Sequence, residues 1–139
     1  MLLKIVDADS PKLARIIGDM REKLWTPYGL RSLDKSAPLY GKHNTEHDPP
    51  YWRGAIWMNI NYLAVGALRH YATTEGPYSA LAGEAYRELA KNLVENVYEQ
   101  YRATGYVWEQ YDDTTGRGKG SHPFTGWSAL VVSIMAEQF

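Results

Sequence analysis

Two long stretches, residues 26–53 with Pro27, Gly29, Pro38, Gly41, Pro49 and Pro50, and residues 106–122 with Gly116, Gly118 and Gly120, interrupt a chain whose apolar residues otherwise fall at helical spacing. Segments of that length without periodicity are uncommon in compact domains and tend to carry function. The periodic parts read as about four helices. Asp9, Ser10 and Pro11 form a helix start, with a cap residue followed by proline in the first turn. Leu13, Ile16, Ile17, Met20 and Leu24 follow on one face, and the helix is expected to end near Trp25, before Thr26 and Pro27. Residues 54–72 predict a second helix, with Ile56, Trp57, Ile60, Leu63, Ala64, Ala67, Leu68 and Tyr71 on a wide apolar face; Gly76 and Pro77 stop it. A third runs from about Ser79 to Tyr101 and closes at Gly105. A fourth starts near Thr125 or Gly126 and carries Trp127, Leu130, Val131, Ile134 and Met135. No strand pattern of useful length appears, so the expected class is all-α, with long ordered loops at one end.

The 139 residues can bury a core, and a hydrophobic content of 45% is globular. A net charge of −1, with both signs mixed along the chain, points away from nucleic acid and membrane surfaces as partners. Without cysteine there is no disulfide framework or thiolate metal site. No apolar run approaches the roughly 18 residues of a membrane span, and the opening residues are too short a run for a signal peptide. Any targeting information is therefore expected to lie outside this chain or not to exist. The aromatic balance is unusual: 11 Tyr and 5 Trp against 2 Phe. Tyr and Trp pair a flat apolar face with a polar handle, which suits a concave site for a sugar ring.

Three segments carry candidate chemistry. Trp108, Glu109, Gln110, Tyr111 and Asp112 place a carboxylate between aromatics on a stretch not expected to be helical. Such a carboxylate can take a proton from an attacking water while aromatic faces stack on a pyranose. Upstream, Tyr51, Trp52 and Arg53 precede the second helix; a guanidinium beside aromatics can hydrogen-bond sugar hydroxyls or serve a structural ion pair. Trp127 follows Phe124, Thr125 and Gly126, as core or as a sugar platform. On the second helix Asn61 is expected to be a satisfied core amide, whereas Asn59 is placed toward the cleft. Glu99, in the similar run Tyr98 to Tyr101, reads as a solvated helix charge. His43, Asn44, Thr45, Glu46 and His47 match H-x-x-E-H. Gly41 before it and Pro49 and Pro50 after it argue against the helix that zinc ligation needs, so no metal and no cofactor are expected. The alternation of glycine with Arg117 and Lys119 fails the spacing of a phosphate loop and reads as a turn at the site's rim.

Leu24 to Leu33, His47 to Gly54, and Trp108 to Tyr111 together resemble the C-terminal catalytic region of the processing α-glucosidase I family, glycoside hydrolase family 63. The similarity runs through nearly all of the chain, with the three motifs in order and spacing. It implies a part of an (α/α)6 toroid with its site at the loop end. It implies inverting removal of the terminal α-1,2-linked glucose from the glucose-capped high-mannose N-glycan oligosaccharide in the endoplasmic reticulum, by enzymes anchored through an N-terminal span. The related trehalases have a Glu-Lys-Tyr-Asp element before a glycine-rich run and Gly-Trp. On that pattern the general base is Glu109. By their position, Trp108, Tyr111 and Trp127 are expected to shape the glucose subsite by stacking, with Trp52 and Arg53 lining the same cleft and Asn59 facing it.

The family's general acid is an aspartate in an Asp-Asp element upstream of the Tyr28–Leu33 segment. None precedes Leu24 here, and Asp34 lies outside that motif. The chain is therefore expected to be the C-terminal segment of the catalytic domain, working with the remainder of that domain. A second reading, a non-catalytic carbohydrate-binding or vestigial helical module, predicts binding without turnover.

Overall fold

The first helix begins where Ser10 turns its hydroxyl back to accept the Lys12 N–H (3.4 Å) and Pro11 takes the first helical position. In this computed structural model, which describes residues 1–136, the elements in chain order are α1 (Pro11–Lys23), β1 (Trp25–Thr26), β2 (Gly29–Leu30), α2 (Met58–Thr73), α3 (Ser79–Thr104), β3 (Gln110–Tyr111), β4 (Gly118–Lys119), a 3₁₀ turn (Trp127–Ala129) and α4 (Leu130–Ala136). The all-α reading holds. The strands are two-residue antiparallel ribbons, β1 with β2 and β3 with β4, set inside the long loops.

α2 and α3 form the central pair; α1 packs on α3, and α4 on both. Leu13, Ile17 and Met20 of α1 meet Ala64, Val65, Leu68 and Tyr71 of α2 and Ala82, Ala85, Leu89, Leu93 and Val97 of α3, with Val131 and Ile134 of α4 closing the core. Removing each such leucine from water contributes about 1.5–3 kcal/mol. α3 outruns its expected end by three residues and stops at Gly105, whose φ of 76° lets its N–H return to Tyr101 O at 2.7 Å.

The second helix departs from expectation. It starts at Met58, not at residue 54. Ile56 and Trp57 are extended because Ile56 exchanges both backbone hydrogen bonds with Tyr111 (2.8 and 3.0 Å) and also bridges to Arg31. That pairing claims the polar groups a helix would need. The buried stripe of α2 is Met58, Asn61, Ala64, Val65, Ala67, Leu68 and Tyr71, while Ile60 and Leu63 are 40% and 45% exposed. Asn61 sets that rotation. Its amide oxygen accepts from Leu30 N–H (2.7 Å) and its amide nitrogen donates to the Leu30 (3.0 Å) and Trp57 (2.9 Å) carbonyls, which makes it the expected satisfied core amide. Gly29 makes this contact possible: its φ is 138°, and a Cβ there would lie 2.6 Å from the Leu93 side chain.

Candidate functional site

Glu109 lies just ahead of β3, and three elements converge on it. Its N–H donates to Ser121 O (3.0 Å) and the Ser121 N–H returns to the carboxylate Oε2 (3.0 Å). The Trp127 indole N–H donates to the Glu109 carbonyl (2.6 Å). Tyr51, from the loop before α2, donates its hydroxyl to Oε1 at 2.6 Å. Gly120, at φ 75°, lies against the carboxylate; a Cβ there would fall 2.6 Å from Oε2. The Tyr51 hydroxyl, then the Ser121 N–H, hold the Glu109 carboxyl below its usual range against the opposing effect of burial. The same hydrogen bond, with burial and the carboxylate charge, pushes the Tyr51 phenol up.

An aromatic cluster adjoins this carboxylate. Trp57 is buried beneath it. Trp52 stacks on Trp57 at 4.0 Å with planes 12° apart, and Tyr51 meets Trp57 edge-on at 4.6 Å. Trp127 approaches Trp57 at 5.6 Å and Phe124 at 4.9 Å. Trp52 keeps 43% of its surface exposed. The indole N–H of Trp57 and the amide oxygen of Gln110 are buried with no protein partner. Each adjoins a member of the Ile56–Tyr111 pair, so a donor and an acceptor stand unsatisfied on neighbouring stretches of backbone.

Glu109, Trp52 and Trp127 are thus brought together, by way of Tyr51 and Trp57. The other expected subsite residues are placed differently. Tyr111 is 1% exposed, packed in the core by the Ile56 pairing, and its hydroxyl accepts the Trp108 N–H (3.3 Å); its ring has no free face for a sugar. The Trp108 indole covers Gly118, lies 3.8 Å from the His122 ring and donates to Thr104 Oγ1 (3.2 Å), so it turns to the hairpin rather than to the cluster. Arg53 donates to the carbonyls of Lys42 (3.2 Å) and His43 (2.9 Å), bracing the preceding loop. Asn59, in the first turn of α2, accepts the Ile60 N–H with its own amide oxygen (2.9 Å). Glu99 stands exposed beside Arg102 at 3.6 Å, as the expected solvated charge. Residues 43–47 are not helical, and the described residues hold no group of three potential metal ligands.

Sequence reasoning missed what holds the two loops together. Asp113 is buried, pairs with Arg31 Nε at 3.1 Å and accepts the Tyr40 hydroxyl at 2.7 Å. Burial, reinforced by Asp113, pushes the Tyr40 phenol up to about 12. The Tyr40 ring in turn lies on Gly54, where a Cβ would come within 2.8 Å of it. Next door, burial works against ionisation of Asp112, but the N–H groups of Thr115 and Thr114, the Thr115 hydroxyl and Lys119 together keep its carboxyl below the usual range. The adjacent Asp112 and Asp113 were a visible signal, although nothing local shows that one caps a turn while the other reaches Arg31.

Residues 1–137 match the glycosyl hydrolase family 63 C-terminal domain. The chain is 49% identical over 138 residues to mannosyl-oligosaccharide glucosidase GCS1 of Arabidopsis thaliana, covering 98% of this chain and 16% of that protein. It is 41% identical over 141 residues to mannosyl-oligosaccharide glucosidase of Saccharomyces cerevisiae, covering 96% of this chain and 16% of that protein. Among solved structures, an uncharacterized conserved protein from Thermus thermophilus superposes with a TM-score of 0.57 at 27% identity, covering 89% of this chain and 26% of that one. The chain spans about a sixth of the length of these curated relatives. With a helical architecture, a held glutamate at the loop end and a family match along nearly its whole length, this chain belongs to glycosyl hydrolase family 63.

Proposed function

We propose that the chain is the C-terminal part of a family 63 catalytic domain that removes the terminal α-1,2-linked glucose from the glucose-capped N-glycan precursor by inverting hydrolysis. Glu109 is its general base. The observation that carries this reading is the Glu109 carboxylate itself: held by the Tyr51 hydroxyl and the Ser121 N–H and set beside an aromatic cluster. A carboxylate has about four lone-pair sites, and the Tyr51 hydroxyl with the Ser121 N–H and side chain leaves room to take a proton from water. Trp52 and Trp127 shape the glucose subsite by their rings. Arg53 braces the preceding loop and Tyr111 holds the Ile56 pairing behind the cluster.

Inversion needs a second carboxyl roughly 6.5–9.5 Å from the base. Asp112 and Asp113 are engaged in the turn and the Arg31 pair, and Asp34 accepts the Ser36 N–H (2.8 Å). On the family resemblance the general acid is an aspartate of the remainder of the catalytic domain. The setting is the endoplasmic reticulum lumen; no helix among the described residues is long and apolar enough to cross a membrane. The intact mass of the native polypeptide tests the domain assignment, with a value several-fold above 15.8 kDa expected.

The decisive experiment is Glu109→Gln in the native polypeptide, read by glucose release from a glucose-capped oligosaccharide. Loss of about 10²–10⁴-fold in turnover with an unchanged fold is expected of a general base. Near-normal turnover in that variant overturns the assignment. Glucoside binding without turnover in the unmutated protein favours the non-catalytic carbohydrate-binding module instead.

A further inference from the structure

Tyr51 is 58 residues from Glu109 in the chain, and its hydroxyl nonetheless reaches the carboxylate at 2.6 Å. That length is typical of an O–H donor on an ionised acceptor, roughly twice as strong as a neutral hydrogen bond. The ring is confined on two sides, edge-on to Trp57 at 4.6 Å and perpendicular to Trp52 at 6.3 Å, while those two indoles are stacked on each other. The hydroxyl therefore has a fixed reach. On the far side of the carboxylate the other donor is the Ser121 backbone N–H, reached across the bare face of Gly120.

The geometry points to Tyr51 as the positioning residue of the base: with Ser121 it pins both oxygens of Glu109 so that one rotamer faces the attacking water. This rests on the reading of Glu109 as the general base. A glutamate side chain has three rotatable bonds, and a base works only when its oxygen sits within about 2.6–3.2 Å of the proton it takes. Neither donor is a cation. The groups acting on Glu109 are the Tyr51 hydroxyl and the Ser121 backbone and side chain, with no ion pair among them. Ionisation and orientation of the base are thus set by hydrogen bonds. One of these belongs to rigid backbone, the other to a loop residue joined to the aromatic cluster.

Tyr51→Phe keeps the ring and its packing and removes only the donor. In the native polypeptide, kcat and KM on a glucose-capped oligosaccharide are measured across pH beside Glu109→Gln, and the Glu109 carboxyl is titrated by carbon NMR in both Tyr51 forms. A donor to the ionised form lowers a carboxyl pKa, so its loss raises the pKa and moves the acid limb of kcat/KM upward, by roughly one pH unit for a hydrogen bond to a charge. The kcat is expected to fall roughly tenfold, with KM within about twofold, because misplacement of a reacting group acts on the chemical step. An unmoved acid limb and unmoved NMR titration, with Glu109→Gln inactive, overturn the proposal and leave the base reading standing. A rise in KM alone overturns it too, since Tyr51 would then contact only the ligand. An active Glu109→Gln removes the base reading itself, and this proposal with it.

Discussion

Replacing Asp113 with alanine is expected to destabilise the chain far more than its place in a loop suggests. The Arg31 guanidinium and the Asp113 carboxylate are only 12% and 8% exposed, 3.1 Å apart, with the Tyr40 hydroxyl on the same carboxylate oxygen at 2.7 Å. Taking away one partner of a buried pair leaves the other charge uncompensated, a loss of about 3–5 kcal/mol. The orphaned Tyr40 hydroxyl overlaps with that figure rather than adding to it, since the groups share one network. Unfolding entropy scales as about 2.1 cal/mol/K per residue, so a chain of this size loses roughly 3–4 °C of Tm per kcal/mol, or roughly 10–17 °C in all. Thermal unfolding at pH 7, followed by circular dichroism, reads this directly. The control is the triple replacement Arg31→Met, Tyr40→Phe and Asp113→Leu, which removes every polar member and is expected to recover most of the loss, because a desolvated pair barely outweighs its apolar isostere. A shift under about 3 °C for Asp113→Ala refutes the argument. So does a triple variant as unstable as the single one, which would locate the effect in packing rather than in the unpaired charge.

Gly118→Ala would drive a Cβ into the Trp108 indole, so the ring must move; a loss of about 1–3 kcal/mol is expected in a denaturant melt, with a change in tryptophan emission. Asn61→Leu keeps the branched outline but leaves the Leu30 N–H buried without its acceptor, and about 1–3 kcal/mol of stability should disappear in the same melt. The Glu109 carboxyl is held low in the folded chain, so its contribution is present above the ordinary carboxylate range and lost as pH falls through the folded value; the stability gap between the unmutated chain and Tyr51→Phe should therefore close on acidification. Tyr40 runs the other way. Its phenol is raised to about 12, so its contribution is complete below the ordinary tyrosine value and lost as pH rises toward 12; ultraviolet titration of Tyr40→Phe should show one late-titrating phenol fewer than the unmutated chain.

The helices were legible where their signals are local. Ser10 and Pro11 mark the start of α1, and Gly105 the stop of α3, because capping and a left-handed stop involve only neighbouring residues. Asn61 was legible as a core amide because a polar residue within an apolar stripe needs internal partners. The start of α2 was not legible. Ile56 and Trp57 fit a helical face as well as a strand, and only the distant Tyr111 decides between them. That same pairing turns Tyr111 from an expected sugar platform into core.

By sequence alone the chain determined its class and the local marks that start and stop its helices, since periodicity, caps and turns are properties of adjacent residues. Tertiary structure decided which aromatics meet Glu109. Trp108 turns to Gly118 and His122, whereas Trp52, Trp57 and Trp127 gather on the other side, with Tyr51 reaching across. It also decided that Arg31, Tyr40 and Asp113 share one buried site. The physical reason is the same in both cases. A side chain's direction in a loop is set by which long-range backbone pairs and desolvated charges find each other, and those partners lie tens of residues away.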